Sequence, residues 1–214
     1  TWFTPELPIA QFYHVATDTS VPYRVHGAMQ DMGTASGPSN SLKNGGIGAG
    51  EWFDVGGGEA GHTQSEPGNP DIVYAGEYLG IFTQFDHRTG QARNTSAYPE
   101  NGSGHGPADL QHRFQWTAPI LVSPHDPKTT YHAAEVIFKT QDGGQTWTTI
   151  SGDLTRNDKT KQQWAGGPIT GCDAAQNLAW IAKEGQVYYD ELMKKLGIDV
   201  VGFFAMPMPT QPLG

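Results

Sequence analysis

Cysteine is nearly absent from this chain of 214 residues, where Cys172 stands alone. No intrachain disulfide can form, and a thiolate zinc site or a CxxC redox pair is excluded. Basic residues are scarce as well, 13 Lys and Arg against 22 Asp and Glu, for a net charge of -9. That charge repels a phosphate backbone, and no Lys/Arg cluster interleaved with aromatics offsets it, so nucleic acid is not an expected partner. No apolar run approaches the roughly twenty residues that cross a bilayer, and the start at Thr1 shows neither the basic nor the apolar segment of a signal peptide. A soluble chain without a membrane span is expected. The eight histidines include no HExxH pair and no compact His/Asp cluster, so neither metal nor cofactor is expected.

What is abundant is turn chemistry. With 28 glycines, 15 prolines and a hydrophobic fraction of 36%, the balance favours many short strands over long helices. Three repeats stand out. The first is Phe12-Tyr13-His14-Val15-Ala16-Thr17-Asp18, a turn from Ser20 to Pro22, and Tyr23 to Asp31. The second is Gly61 to Pro67, a turn at Asn69-Pro70-Asp71, and Ile72 to Glu77; the third is Pro119 to Pro127, then Thr130 to Ala134 and Val136 to Lys139. Each is an alternating strand, a Pro/Asp/Asn turn and a second strand, and they recur about every fifty residues, a period of propeller blades rather than helical solenoids. The Gly-rich stretches Ser36 to Gly50 and Asn101 to Gly106 read as loops at the blade ends or as surface linkers.

The most specific segment is Thr140-Gln141-Asp142-Gly143-Gly144-Gln145-Thr146-Trp147. An Asp carboxylate can accept backbone N–H bonds across a turn, glycine permits positive φ, and the Trp can pack beneath. Asp142, Gly144, Thr146 and Trp147 match the Asp-box of sialidase-like propellers. With Pro22 to Asp31, Val55 to His62, Gly104 to Leu110 and Asp153 to Asp158, residues 1–171 resemble the large secreted BNR-repeat, sortilin-like proteins classed with the glycosyl hydrolases. The resemblance implies a mainly β fold of partial propeller blades, a secreted or periplasmic location, and an Asp-box that is a structural turn remote from any active site.

Two functions follow from that resemblance. One is a carbohydrate-active propeller, either a glycoside hydrolase or a glycan-binding descendant; the other is a sortilin-like module that binds proteins and has no chemistry. In the distant xyloglucanase relatives a catalytic carboxylate sits beside a Gly-Gly turn, and Glu59 in Gly56-Gly57-Gly58-Glu59-Ala60-Gly61 resembles that position, with Glu where Asp is usual. Glycoside hydrolysis needs two carboxyl groups, one protonated and one ionised. Asp31 and Asp109 are the candidates for the second. The same three carboxylates equally suit the holding of turns through backbone amides. Trp52 and Trp116 are candidate sugar-stacking rings, with His105 and His62 as candidate substrate contacts, although packing between blades is an alternative for each.

The tail changes character. Leu178, Ile181, Ala182, Tyr188, Tyr189, Leu192 and Met193 recur with helical spacing between Asp173 and Leu196, and a short strand, Ile198 to Phe204, follows Gly197. A boundary near Gly171 is expected, dividing residues 1–171 from 172–214. Ala179 to Gly185, Tyr188 to Leu192 and Val200 to Gly214 resemble a stretch of TRAP-transporter solute-binding proteins, which implies an organic-acid receptor fragment as a third reading. Three blades are too few to close a ring, so open blade edges are expected to invite self-association or a protein partner.

Overall fold

The computed structural model describes residues 10–102 and 105–163. The expected helix and strand of the tail, and the boundary near Gly171, lie outside those residues. Within them the chain is mainly β, and the helical elements among the described residues are single 3-10 turns of three residues each.

Eleven strands form three antiparallel meanders. The first sheet is β1 (Phe12–Thr17), β2 (Arg24–Met29) and β3 (Gly33–Pro38); the second is β4 (Thr63–Glu66), β5 (Asn69–Gly76), β6 (Phe82–Asp86) and β7 (Gln91–Asn94); the third is β8 (Ile120–Val122), β9 (Thr130–Ala133), β10 (Ile137–Thr140) and β11 (Thr148–Thr149). Strands pair in sequence order throughout, as short connections dictate. The first sheet lacks a fourth strand but carries a vestige of one. Ser36 and Phe53 exchange both backbone hydrogen bonds, at 2.8 and 3.0 Å.

The sheets are layered in chain order, with β1 lying against β4 and β4 against β8. The middle sheet is therefore buried on both faces, which explains the unbroken apolar run Ile72 to Ala75. Alternation sends Ile72 and Tyr74 toward Ile120 and Val122 of β8, with Phe82 beside them, whereas Val73 and Ala75 meet Val55 and Phe85 on the reverse face. Burying each such large side chain contributes roughly 1.5–3 kcal/mol. A further cluster joins Ala134, Val136 and Phe138 to Phe114 and Trp147.

Two boundaries differ from the sequence reading. The second hairpin turns at Pro67-Gly68, not at Asn69 to Asp71: Gly68 takes φ +77, and Glu66 faces Asn69 across a two-residue turn. Pro70 is tolerated inside β5 because it has no register partner on β4 or β6, so its missing N–H costs no ladder bond, and its carbonyl accepts from Arg24 Nη1 at 2.9 Å. Ser36 to Pro38, read as loop, belongs to β3, because β2 supplies a register partner for each of its residues.

The topology collects one set of loops at one end. The starts of β1, β4 and β8 lie there with the β2–β3, β5–β6 and β9–β10 turns and the long connection of residues 95–119. The Thr140–Trp147 turn joins β10 to β11 at the opposite end.

Candidate functional site

The site is built on a close backbone approach. A Cβ on Gly61 would lie 1.8 Å from the Gly76 carbonyl oxygen, so only glycine lets the segment before β4 lie on the end of β5. Two hydrogen bonds lock it there: Gly76 N–H donates to the His62 carbonyl at 2.8 Å, and Gly58 N–H to the Gly76 carbonyl at 3.0 Å. Glu59 is thereby held beside Glu77, the residue that follows β5. Gly58 touches the Glu77 carboxyl so closely that a Cβ there would stand 2.4 Å from Glu77 Cδ.

The two carboxyls occupy different surroundings. Glu59 Oε2 accepts from Gln30 Nε2 at 2.7 Å and from the Asp31 backbone N–H at 2.8 Å. Burial pushes the Glu77 carboxyl above the ordinary glutamate range, a hydrogen bond with Tyr78 opposes that rise, and the charge of Glu59 adds to it. One carboxyl thus carries two hydrogen-bond donors, and its half-buried neighbour is shifted above the ordinary glutamate range, so the two differ in surroundings.

Gln30 ties the surroundings together. Its Nε2 also donates to Asp31 Oδ1 at 2.8 Å, so one amide bridges both sequence-derived carboxylates. Asp31 itself adopts φ +60, which aims its N–H at Glu59. The Tyr13 hydroxyl donates to Gln30 Oε1 and accepts from Trp116 Nε1 at 3.3 Å. Trp116 stacks on Tyr78, with ring centroids 4.8 Å apart and planes 8° from parallel. An aromatic pair therefore stands beside the carboxyls.

The other candidates fall elsewhere. Asp109 is exposed on the 3-10 turn Pro107–Asp109, and no bond described among these residues joins its carboxylate to Glu59 or Asp31. His105 lies on the same connection, its N–H bonded to the Gly102 carbonyl at 3.2 Å. Trp52 covers Gly37 near the far end of β3, remote along the strand from the Asp31 turn. His62 is buried, its ring stacked 3.9 Å from His14, and burial holds it well below the usual imidazole range. Glu77, Gln30, Tyr13 and Tyr78 were not singled out from the sequence. The available signal was an acidic residue directly after a buried strand and a glycine, Ala75-Gly76-Glu77.

At the opposite end, Asp142 organises its turn: Oδ1 accepts from Thr146 N–H at 2.9 Å and from the Thr140 hydroxyl at 2.8 Å, and Oδ2 accepts from the Thr146 hydroxyl at 2.6 Å. These bonds, led by the Thr146 hydroxyl, hold its carboxyl down at about 2. Gly144 takes φ +83 and its N–H reaches the Thr140 hydroxyl at 3.0 Å. Trp147 donates from Nε1 to the Thr95 carbonyl at 2.8 Å and meets Phe82 edge-on at 5.2 Å, joining the third sheet to the second.

Among the described residues no group of three or more His, Cys, Asp or Glu side chains is placed to hold a metal ion, and no helix is long and apolar enough to cross a membrane. No family model matches this chain, and no curated protein matches it.

Proposed function

We propose that this chain is a carbohydrate-active protein of β-propeller blades that cleaves a glycosidic bond between Glu59 and Glu77. The observation that carries the reading is the pairing of a donor-bound carboxylate with a half-buried carboxyl whose pKa is raised by burial, at the end of the sheets where the loops converge. In this reading Glu77 gives its proton to the departing glycosidic oxygen, and Glu59 stays ionised, either attacking the anomeric carbon or drawing a proton from the water that does. The anomer released tells these two courses apart. Trp116 and Tyr78 offer flat rings to the apolar face of a pyranose. Three consecutive meanders whose first strands lie side by side support the blade interpretation, as does the Asp142 turn, whose bonds are those an Asp-box requires. A secreted or periplasmic location suits such an activity.

The test is hydrolysis of a panel of β-glucans by the parent, Glu59→Gln and Glu77→Gln. Loss of at least about 10²-fold in each variant is expected, with the acid-limited arm of the pH profile abolished in Glu77→Gln. Unchanged turnover in either variant removes that residue from the mechanism.

A second reading, a sortilin-like protein-binding module, rests on β7, an outer-edge strand exposed at every residue from Gln91 to Asn94. Such an edge can pair with a strand of another protein or of a second copy of this chain. A partner recovered through that edge, with β-glucans left intact, favours this alternative. The organic-acid receptor reading rests on the tail, outside the described residues.

A further inference from the structure

A run of four side chains joins one carboxyl to the other. Tyr78 bonds the Glu77 carboxyl and stacks on Trp116. Trp116 Nε1–H donates to the Tyr13 hydroxyl at 3.3 Å, that hydroxyl donates to Gln30 Oε1, and Gln30 Nε2 donates to Glu59 Oε2 at 2.7 Å. We propose that Tyr13 and Gln30 are positioning residues that aim the Glu59 carboxylate at the scissile bond and fix it relative to Glu77; the assignment rests on the hydrolase reading above.

The direction of the run is set at Trp116. An indole N–H only donates, so the Tyr13 oxygen accepts from it and keeps its single proton for Gln30. That proton takes the amide oxygen of Gln30, which turns the amide nitrogen toward the acids. Both hydrogens of the nitrogen are then used, one on Glu59 Oε2 and one on Asp31 Oδ1 at 2.8 Å. A reversed amide would set its oxygen against two carboxyl oxygens, which offer no proton when ionised. The Asp31 backbone N–H adds a second bond to the same Glu59 oxygen at 2.8 Å. The bonds described for Glu59 thus gather on Oε2, and Oε1 is the oxygen assigned to the reaction.

Two departures from regular backbone serve this arrangement. Strand β1 shifts register between Phe12, which faces Met29, and His14, which faces Ala28, so Tyr13 is an extra residue without a register partner on β2. A bulge of this kind re-aims a side chain, and bulges are over-represented beside active sites. Asp31 takes φ +60, left-handed geometry that is uncommon outside glycine. A plain hairpin needs neither, and each irregular residue points a donor along the route to Glu59. The run also depends on the packed chain, because Trp116 and Tyr13 are 103 residues apart in sequence.

Steady-state kinetics on a β-glucan that the parent hydrolyses test the assignment. Tyr13→Phe and Gln30→Met each remove one link and keep the bulk of the side chain; Trp116→Phe removes the N–H and keeps a ring beside Tyr78. In Tyr13→Phe and Gln30→Met, kcat is expected to fall about 10–100-fold with KM within about twofold of the parent, because the carboxylate is misaimed while the sugar contacts stay. The Tyr13→Phe/Trp116→Phe double variant is expected to have a kcat no lower than the slower of the two single variants, since both cut the same run. Urea unfolding confirms that each variant is folded under the assay conditions. Parent-like kcat in Tyr13→Phe and Gln30→Met, an effect confined to KM, or losses that multiply in the double variant overturn the positioning role alone. Absence of hydrolysis of every β-glucan by the parent overturns the hydrolase reading and the positioning role together.

Discussion

Two alanine substitutions three residues apart separate the fold of the Gly-Gly-Glu segment from its chemistry. At Gly58 a new Cβ would sit 2.4 Å from Glu77 Cδ and Cγ, the mobile end of a side chain. Its backbone is not among those with positive φ, so alanine fits the chain itself. Moving the Glu77 carboxyl by about 1 Å costs roughly 0.5–1.5 kcal/mol of rotamer strain, and replacing glycine returns about 0.4–1 kcal/mol through the unfolded state. Stability should stay within about 1 kcal/mol of the parent. On the proposed hydrolase reading, catalysis should not, because a displacement of that size costs about 10²-fold in rate.

At Gly61 the obstacle is backbone, the Gly76 carbonyl at 1.8 Å. Relief must break the two hydrogen bonds that seat the segment, at about 0.5–1.5 kcal/mol each, on top of roughly 1–3 kcal/mol of overpacking. A loss of about 2–6 kcal/mol follows, which at an m-value near 2 kcal/mol/M lowers the urea midpoint by about 1–3 M. Urea unfolding and β-glucan hydrolysis on the same preparations read both effects. Parent-like hydrolysis by Gly58→Ala, or a Gly58→Ala midpoint that falls as far as that of Gly61→Ala, refutes the reasoning.

Three further outcomes are expected. His132 is fully buried among Phe82, Phe114 and Trp147, and burial drives its pKa down to about 3; because the folded value lies below the unfolded one, stability is complete above about 6.5 and falls by up to about 1.4 kcal/mol per pH unit toward pH 3. His132→Phe should flatten that part of the pH–stability curve measured by urea unfolding, and an unchanged slope assigns the effect to other groups such as His26, held at about 4 chiefly by its burial. Trp147→Ala, which removes the contact with Phe82 and the bond to the Thr95 carbonyl, should cost about 3–5 kcal/mol, and a change under 1 kcal/mol would show that the second and third sheets do not depend on it. Gly68→Val at the φ +77 hairpin position meets no neighbouring atoms, so its cost of about 1–2 kcal/mol should be backbone strain alone and should leave hydrolysis unaltered.

Much of the strand pattern was legible in the residues. Short strand-like runs bounded by Pro/Asp/Gly turns marked β1, β2, β4, β5, β8, β9 and β10, β5 as a continuous apolar run because both its faces are buried, and the Asp142 turn announced itself through side chains that bond to near neighbours. Strands β7 and β11 left no such trace, since they are exposed outer strands whose pairing depends on a neighbour already being in place. Glu59 was a candidate through its resemblance to a carboxylate beside a Gly-Gly turn, and Asp31 and Asp109 as possible second carboxyls; the packing links the first two through Gln30. Glu77 was hidden at the end of an apolar run, and nothing local distinguishes it from any strand-terminal acid.

The sequence alone determined the class: many short antiparallel strands, no disulfide, a surplus of acid, and turns written in glycine, proline and aspartate. Those properties are set by contacts within a few residues of one another. Which carboxyls meet was decided only by the layering of one sheet on the next, which presses the Gly58–Gly61 segment onto Gly76, brings Gln30 from the first sheet to Glu59, and sets Glu77 in a half-buried place that raises its pKa. That juxtaposition depends on backbone approach and burial across tens of residues, and neither quantity exists until the chain has packed.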